Sequence, residues 1–143
     1  MSKAQTDLVV GRIQSLPFLV SKTFKLVAPR DGAGRLPAPA YVVVQPADGT
    51  DSAERFTGAR STAHPRYVLH VVGETYDHAQ GVLEDVKELF IDPVSRFPYP
   101  INVAGELARN IVWDGVLPVQ VDNDVTPPII YATAELSWDA DPI

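Results

Sequence analysis

The sequence predicts an α+β fold, a mostly antiparallel four- to five-stranded sheet with two main helices packed on it, plus long loops. Three observations lead to this class. A β-branched segment over 66–72 is followed directly by an amphipathic helix. A second continuous apolar run, 41–45, is typical of a central strand beside it. The chain closes with two alternating segments, 116–122 and 129–139, which are separated by turn residues.

The composition limits the class of protein. The 143 residues, 45% of them hydrophobic and 21% charged, are expected to form one globular domain over 1–143. The formal charge of −6 argues against nucleic-acid binding, because neutralising phosphates needs a concentrated basic surface. Zero cysteines exclude disulfides and thiolate metal sites. No apolar run is long enough for a bilayer and no secretory signal is visible, so we expect a soluble cytoplasmic product.

The N-terminal part of the chain predicts one helix and two strands. Residues 5–16 have one apolar side, and Pro17 ends the predicted helix. Residues 23–28 alternate as a strand with Leu26 on its apolar face. The β-branched run 41–45 should occupy a central position in the sheet, next to the strand that begins at residue 66.

The segment 66–90 contains the clearest structural signal in the chain. Residues 66–72 are apolar on both faces, so a covered or shared surface is expected. Thr75 can accept the backbone N–H groups of the next helical turn, and Asp77 places negative charge near the positive end of that helix. The helix has one apolar face at i, i+3, i+4 spacing, formed by Ala79, Val82, Leu83, Val86 and Phe90.

A long polar segment, 47–65, separates the two central strands. Connections longer than about 12–15 residues are uncommon in compact domains unless they have a function, so this one is either a projecting hairpin or a partner-binding arm. Its charged residues either form ion pairs across a subunit boundary or are simply solvated. The charged side chains are Asp48, Asp51, Glu54, Arg55 and Arg60. Phe56 is the large apolar residue of the segment.

A second segment, 92–115, is predicted to be irregular. Its prolines forbid a long helix. Phe97, Tyr99 and Trp113 offer exposed or half-exposed aromatic area, and such side chains often bury against a partner. We therefore expect interface residues in this segment.

The last third of the chain predicts an antiparallel pair of strands. Segments 116–122 and 129–139 both alternate at period two, and the turn residues 122–128 connect them. The predicted inward-facing residues are Leu117, Val119, Val121, Ile130, Ala132, Ala134, Leu136 and Trp138.

No residue pattern points to catalysis. The histidines, His64, His70 and His78, lie on three different predicted elements, without the spacing that holds a metal on one helix. His70 is predicted to be a packed strand residue and His78 an exposed one. The acidic turn at 122–124 resembles the start of a calcium loop but lacks the glycine and the distal glutamate. We predict no catalytic residue, no cofactor and no metal.

Two segments of the sequence resemble those of a known protein family. The run PRYVLHVVGETY (65–76) with its helix, and the closing run PVQVDNDV (118–125) followed by 128–138, resemble tail terminator proteins of long-tailed phages of actinobacteria. The likeness extends from about residue 40 onward, with the same N-terminal order of helix and strand. It implies a small α+β virion protein, at the head-proximal end of the tail, that forms a hexameric ring capping the tail tube and ending its polymerisation. No cofactor or catalytic residue is implied.

The resemblance also implies the partners. These are other copies of the chain, the tail tube protein and a neck or head-tail connector protein, with DNA only passing through the lumen and no membrane. A closed ring uses a head-to-tail contact, so each subunit needs two complementary side patches and a third surface for the tube end. Acidic residues lining the lumen would repel DNA and let it slide. The predicted interface residues are Asp48, Asp51, Glu54, Arg55, Phe56, Arg60, Phe97, Tyr99 and Trp113.

Two other functions stay open from the sequence. One is another head-tail joining protein of the neck or connector type, which shares small size, acidity and ring formation. The other is a small-molecule-binding or enzymatic α+β domain that uses His70, His78 and Tyr76 in a cleft.

Overall fold

A computed structural model of the protein describes residues 2–47, 51–53, 61–124 and 128–143, with the backbone alone at 51–53 and at 61. Its α+β fold, two helices on one face of a mixed sheet, confirms the predicted class. The helices are α1 (Lys3–Ile13) and α2 (Tyr76–Lys87), with a short 3-10 turn at Pro17–Leu19. The strands are β1 (Thr23–Lys25), β2 (Tyr41–Pro46), β3 (Asp51–Ala53), β4 (Ser61–Ala63), β5 (Arg66–Gly73), β6 (Glu106–Asp122) and β7 (Ile129–Pro142).

The sheet of the described residues has seven strands, more than the four to five predicted. The difference arises because β3 and β4 continue β2 and β5 along the sheet, so that the strands occupy five rows in the order β1, β2, β5, β7, β6. The β1 and β2 pair is parallel and the other pairs are antiparallel. A parallel pair needs a long crossover, which residues 26–40 supply.

The predicted neighbours β2 and β5 pair directly, with Val43 opposite His70, which confirms that prediction. Side chains of β5 and β7 alternate into the core beneath the helices. Tyr67 on β5 stacks on Trp138 of β7, with ring centroids 5.7 Å apart, and its hydroxyl hydrogen-bonds to Thr6 of α1 at 2.9 Å. The apolar face predicted for the second helix is buried here in full: Ala79, Val82, Leu83, Val86 and Phe90.

Capping residues set the bounds of both helices. Ser2 and Gln5 form a reciprocal capping box at the start of α1, so the helix begins two residues earlier than predicted. It ends at Ile13, and tight turns follow before Pro17. Thr75 accepts the backbone N–H of His78 at 3.1 Å, which confirms the predicted cap of α2.

Segment 47–65 forms a hairpin where it is described. β3 and β4 pair antiparallel, which fits the projecting-hairpin alternative, and β4 joins β7 through Ala63 and Ala140. Whether this hairpin binds a partner stays a prediction.

The prediction that 92–115 is irregular throughout was wrong from residue 106 onward. β6 begins at Glu106 and continues to Asp122. Three register shifts against β7, each adding one residue to β6, break the period-two pattern. Positive φ angles at Asn110 (52°) and Gly115 (63°) fall within the first two of these bulges. The extra residues also change the side-chain faces, so Leu117 and Val121, predicted to point inward, are about half exposed.

Close packing between α2 and the end of β5 generates a prediction. A Cβ added to Gly73 would lie 2.4 Å from the backbone nitrogen of Ala79, a contact that no side-chain rotation relieves. Gly73→Ala should therefore lower the free energy of unfolding by about 1–3 kcal/mol or more in urea denaturation. Gly81→Ala, in α2, is the matched control, because a Cβ added there meets nothing within 4 Å. That change should raise stability by about 0.5–1 kcal/mol. Equal unfolding midpoints for the two variants would contradict this packing.

Candidate functional site

The face of the sheet opposite the helices is apolar and only partly covered. Tyr41, Val43 and Val72 form a second buried cluster there, separate from the main core. Phe24 packs edge-on against Tyr41, with ring centroids 5.9 Å apart. Residues 26–36, which we call the strap, run from the end of β1 along this face and leave a groove beside it. The strap starts at the β1 edge of the sheet, and its groove extends over the open face to Tyr131 of β7 and Asp122 at the end of β6.

The strap begins with a sharp, unusual turn. Leu26 has φ +71°, and the N–H of Val27 donates to the carbonyl of Lys25 at 2.8 Å, as in a positive-φ γ-turn. The turn ends β1, so the predicted extension of that strand to Ala28 was wrong. Leu26 was expected on the apolar face of that strand, with Phe24 and Ala28, but it is 61% exposed and Val27 is 68% exposed. The sequence signal for the turn is weak, because leucine rarely adopts positive φ.

A second exposed apolar feature is the loop at residues 92–98, which we call the knob. The Asp92 carboxylate accepts the backbone N–H groups of Val94 (2.8 Å) and Ser95 (3.2 Å), while the Asp92 N–H donates to the carbonyl of Phe97 at 2.9 Å. Arg96 has φ +63° within this turn. Val94 is 90% exposed and Phe97 is 74% exposed, so the knob is an ordered turn with apolar side chains at its surface.

The other two aromatic residues predicted for an interface lie close to the knob. Tyr99 donates its N–H to the carbonyl of Phe90 at 2.7 Å and keeps about a third of its surface exposed. Trp113 stacks on Phe90 with ring centroids 6.0 Å apart, so part of its ring covers the core. The structure therefore brings Phe97, Tyr99 and Trp113 to one region, beside the outer strand β6.

The predicted interface residues of the long hairpin are less fully placed. Asp51 begins β3, which fixes its backbone position in the sheet. The remaining members of that set lie outside the described residues: Asp48, Glu54, Arg55, Phe56 and Arg60.

A polar cluster ties the base of the hairpin to β6 and β7. The Asp139 carboxylate bonds to the His64 imidazole at 2.8 Å and accepts from the Asn110 amide at 2.7 Å. These hydrogen bonds, the one from Asn110 first, hold the pKa of Asp139 below its ordinary value. Asp141 pairs with Arg109 and accepts from the Thr62 hydroxyl, which lowers its pKa likewise. The cluster orients the hairpin relative to the sheet.

His70 is half-buried on the open face, as a packed strand residue. Its Nε2 is 3.0 Å from the Gln45 amide oxygen, so Nε2 carries the proton, and its Nδ1 accepts from the Thr133 hydroxyl at 3.2 Å. The neutral imidazole thus has both nitrogens paired. Burial lowers the pKa of His70 below its ordinary value.

The cleft proposed for a small-molecule domain does not form from its three predicted residues. Tyr76, His78 and His70 line three different grooves. Across the described ranges, no group of three or more His, Asp or Glu side chains has an arrangement that would hold a metal ion. No helix within those ranges is long and apolar enough to cross a membrane.

Comparison with known proteins identifies the fold. No family model matches the sequence, and no curated protein is similar to it in sequence. The chain is similar in structure to a chain of a solved particle described as "Virion of native gene transfer agent (GTA) particle". The TM-score is 0.61 over 93% of this chain and 91% of that chain, at 12% sequence identity. The two chains therefore share one fold over nearly their whole lengths.

The environment of His70 predicts a pH dependence of stability. In the unfolded chain the His70 imidazole has a pKa of about 6.5, which is above its pKa in the folded state. The stability contributed by the neutral imidazole is therefore present above about pH 6.5 and lost as the pH falls through the folded pKa. The difference in unfolding free energy between wild type and His70→Gln should shrink from about pH 7.5 to about pH 5. His78→Gln, at an exposed position in the first turn of α2, is the control. A difference that stays constant with pH would contradict the lowered pKa.

Proposed function

We propose that the protein is a structural protein of a virion and that it acts as a tail terminator, a ring that caps the tail tube and ends its polymerisation. The observation that carries the proposal is the fold shared with a chain of a gene transfer agent virion over 93% of this protein. The sequence segments 65–76 and 118–138 support it independently, because they resemble tail terminator proteins of phages of actinobacteria. The role requires no catalytic residue and no cofactor.

The arrangement of the sheet supports a subunit in a ring. A closed ring requires two unlike side surfaces on each copy. The strap extends from β1 and the knob lies beside β6, and these are the two outer rows of the five-row sheet. The paired strands between them provide a wall that keeps the two surfaces at a constant separation.

The third surface of the subunit would contact the tail tube and the neck. The hairpin formed by β3 and β4 is our candidate for one of these contacts, because its described strands continue β2 and β5 along the sheet and its base is held by Thr62 and His64. The formal charge of −6 suits a lumen through which DNA passes, since acidic side chains there would repel the phosphates.

A neck or connector protein is the second candidate, because it shares small size, acidity and ring formation, and a fold shared with a virion chain is compatible with either role. Binding separates the two functions. A tail terminator binds to the end of purified tail tubes, whereas a connector binds to portal-bearing heads.

The proposal predicts assembly on tubes. Mixed with purified tail tubes, the protein should form rings, expected to contain six copies, at one tube end, visible by negative-stain electron microscopy and countable by native mass spectrometry. Added during polymerisation of tube protein, it should stop elongation at an amount far below one copy per tube subunit, because only the tube end is capped. Bovine serum albumin, another acidic protein, is the control for non-specific effects. A strictly monomeric protein in the presence of tubes would refute the ring.

A further inference from the structure

We propose that the strap of one copy docks against the knob of the next copy, so that the repeating contact of the ring is head-to-tail and joins the β1 edge to the β6 edge. Leu26 and Val27 would pack against Val94 and Phe97. The inference rests on the proposed ring and names the two surfaces that close it.

The first argument is placement. The strap leaves β1, one outer row of the sheet, and the knob shares a groove with Ile111, Val112 and Trp113 of β6, the other outer row. The two patches therefore start from opposite outer rows of one chain. They can contact each other between successive copies, which is the geometry that a ring uses.

The second argument is that both patches are held in costly conformations with apolar side chains in water. Leu26 and Arg96 are two of the three non-glycine residues with positive φ in the part of the chain that the structure describes. Backbone strain of this kind persists where the surrounding structure imposes it and often marks a functional surface. Here each strained residue lies in or beside a pair of exposed apolar residues, Leu26 with Val27 and Val94 with Phe97. Preformed turns of this kind lose little conformational entropy on association.

The third argument is charge. The strap contains Arg30, Arg35 and Asp31, of which Arg35 and Asp31 pair with each other at 3.0 Å, whereas residues 74–96, which include α2 and most of the knob, contain six acidic side chains and two basic ones. Arg30 on the strap donates to the carbonyl of Gly34 and makes no ion pair with any described residue. Glu84 and Glu88, which line the groove beside the knob, likewise make no ion pair within the described ranges. Arg30 on the strap and the pair Glu84 and Glu88 beside the knob are therefore complementary in charge.

The same charges decide the identity of the partner. Two straps facing each other would bring four arginine side chains against two aspartates, and two copies of Glu84 and Glu88 beside the knob would repel each other, so a symmetric dimer through either patch is disfavoured. A second copy in head-to-tail orientation satisfies both the apolar and the charged surface of each patch. The chain thus carries both halves of one contact.

The test uses one variant for each surface. The strap variant is Leu26→Asn with Val27→Asp, since asparagine tolerates positive φ and preserves the turn. The knob variant is Val94→Ser with Phe97→Ser. Ile143→Asn is the control, because Ile143 is 85% exposed and lies at the C-terminus, outside the strap and the knob. Circular dichroism and thermal unfolding establish that all variants are folded.

Native mass spectrometry in the presence of tail tubes should show rings for wild type and for the control. Each surface variant alone should be monomeric, since removing a central anchor typically weakens an interface by roughly 30-fold or more. Mixed together, the two variants should give dimers and no rings. In each mixed dimer the intact knob of the strap variant binds the intact strap of the knob variant. The two mutated surfaces remain at the ends of the dimer, so no further copy can bind.

Each of the following results would overturn the inference. If the variants form rings as wild type does, the surfaces are wrong and the proposed function stands. If both variants are monomeric and their mixture gives no dimer, the patches bind a different partner, such as the tube protein. If the mixture restores complete rings, the contact is not head-to-tail through these patches. If wild type is monomeric on tubes, the proposed function fails and this inference fails with it.

Discussion

Burial of the alternating side chains of β5 and β7 beneath the two helices is the interaction on which the rest of the structure depends. Tyr67 and Trp138 stack at the centre of this layer, and the Tyr67 hydroxyl reaches Thr6 on α1. Gly73 lets α2 approach the end of β5 more closely than any side chain would permit. Once these elements are fixed, β2 and β1 on one side and β6 on the other are built outward from the same pair, and the strap and the knob follow at the margins.

The parts of the fold that follow from strong local signals were predictable from the sequence. The α2 cap at Thr75, the buried face of α2 and the pairing of β2 with β5 were all predicted, because period, capping and β-branched composition agree there. The second half of the chain was harder. In β6 each bulge resets the inside and outside positions, so a period-two reading fails after the first one. The strand count differed because β3 and β4 are short continuations of other strands.

The candidate site was predictable only in part. Aromatic residues in a proline-rich segment are a compositional signal, and it pointed to Phe97 and its neighbours without showing that Val94 is more exposed than any of them. Leu26 was assigned to the apolar face of a strand because the strand pattern continues through it. The turn that exposes it arises from the crossover back to β2, a tertiary constraint that no local pattern encodes. The positive φ of Leu26 can therefore be recognised only in the folded structure.

The irregularity of β6 has a bearing on how the protein behaves at high concentration. A straight outer strand offers unpaired amide and carbonyl groups at a regular spacing, and such a ladder templates fibrils. Three inserted residues and Pro118 interrupt that ladder along β6. The β6 border of the sheet is consequently a poor seed for amyloid-like stacking.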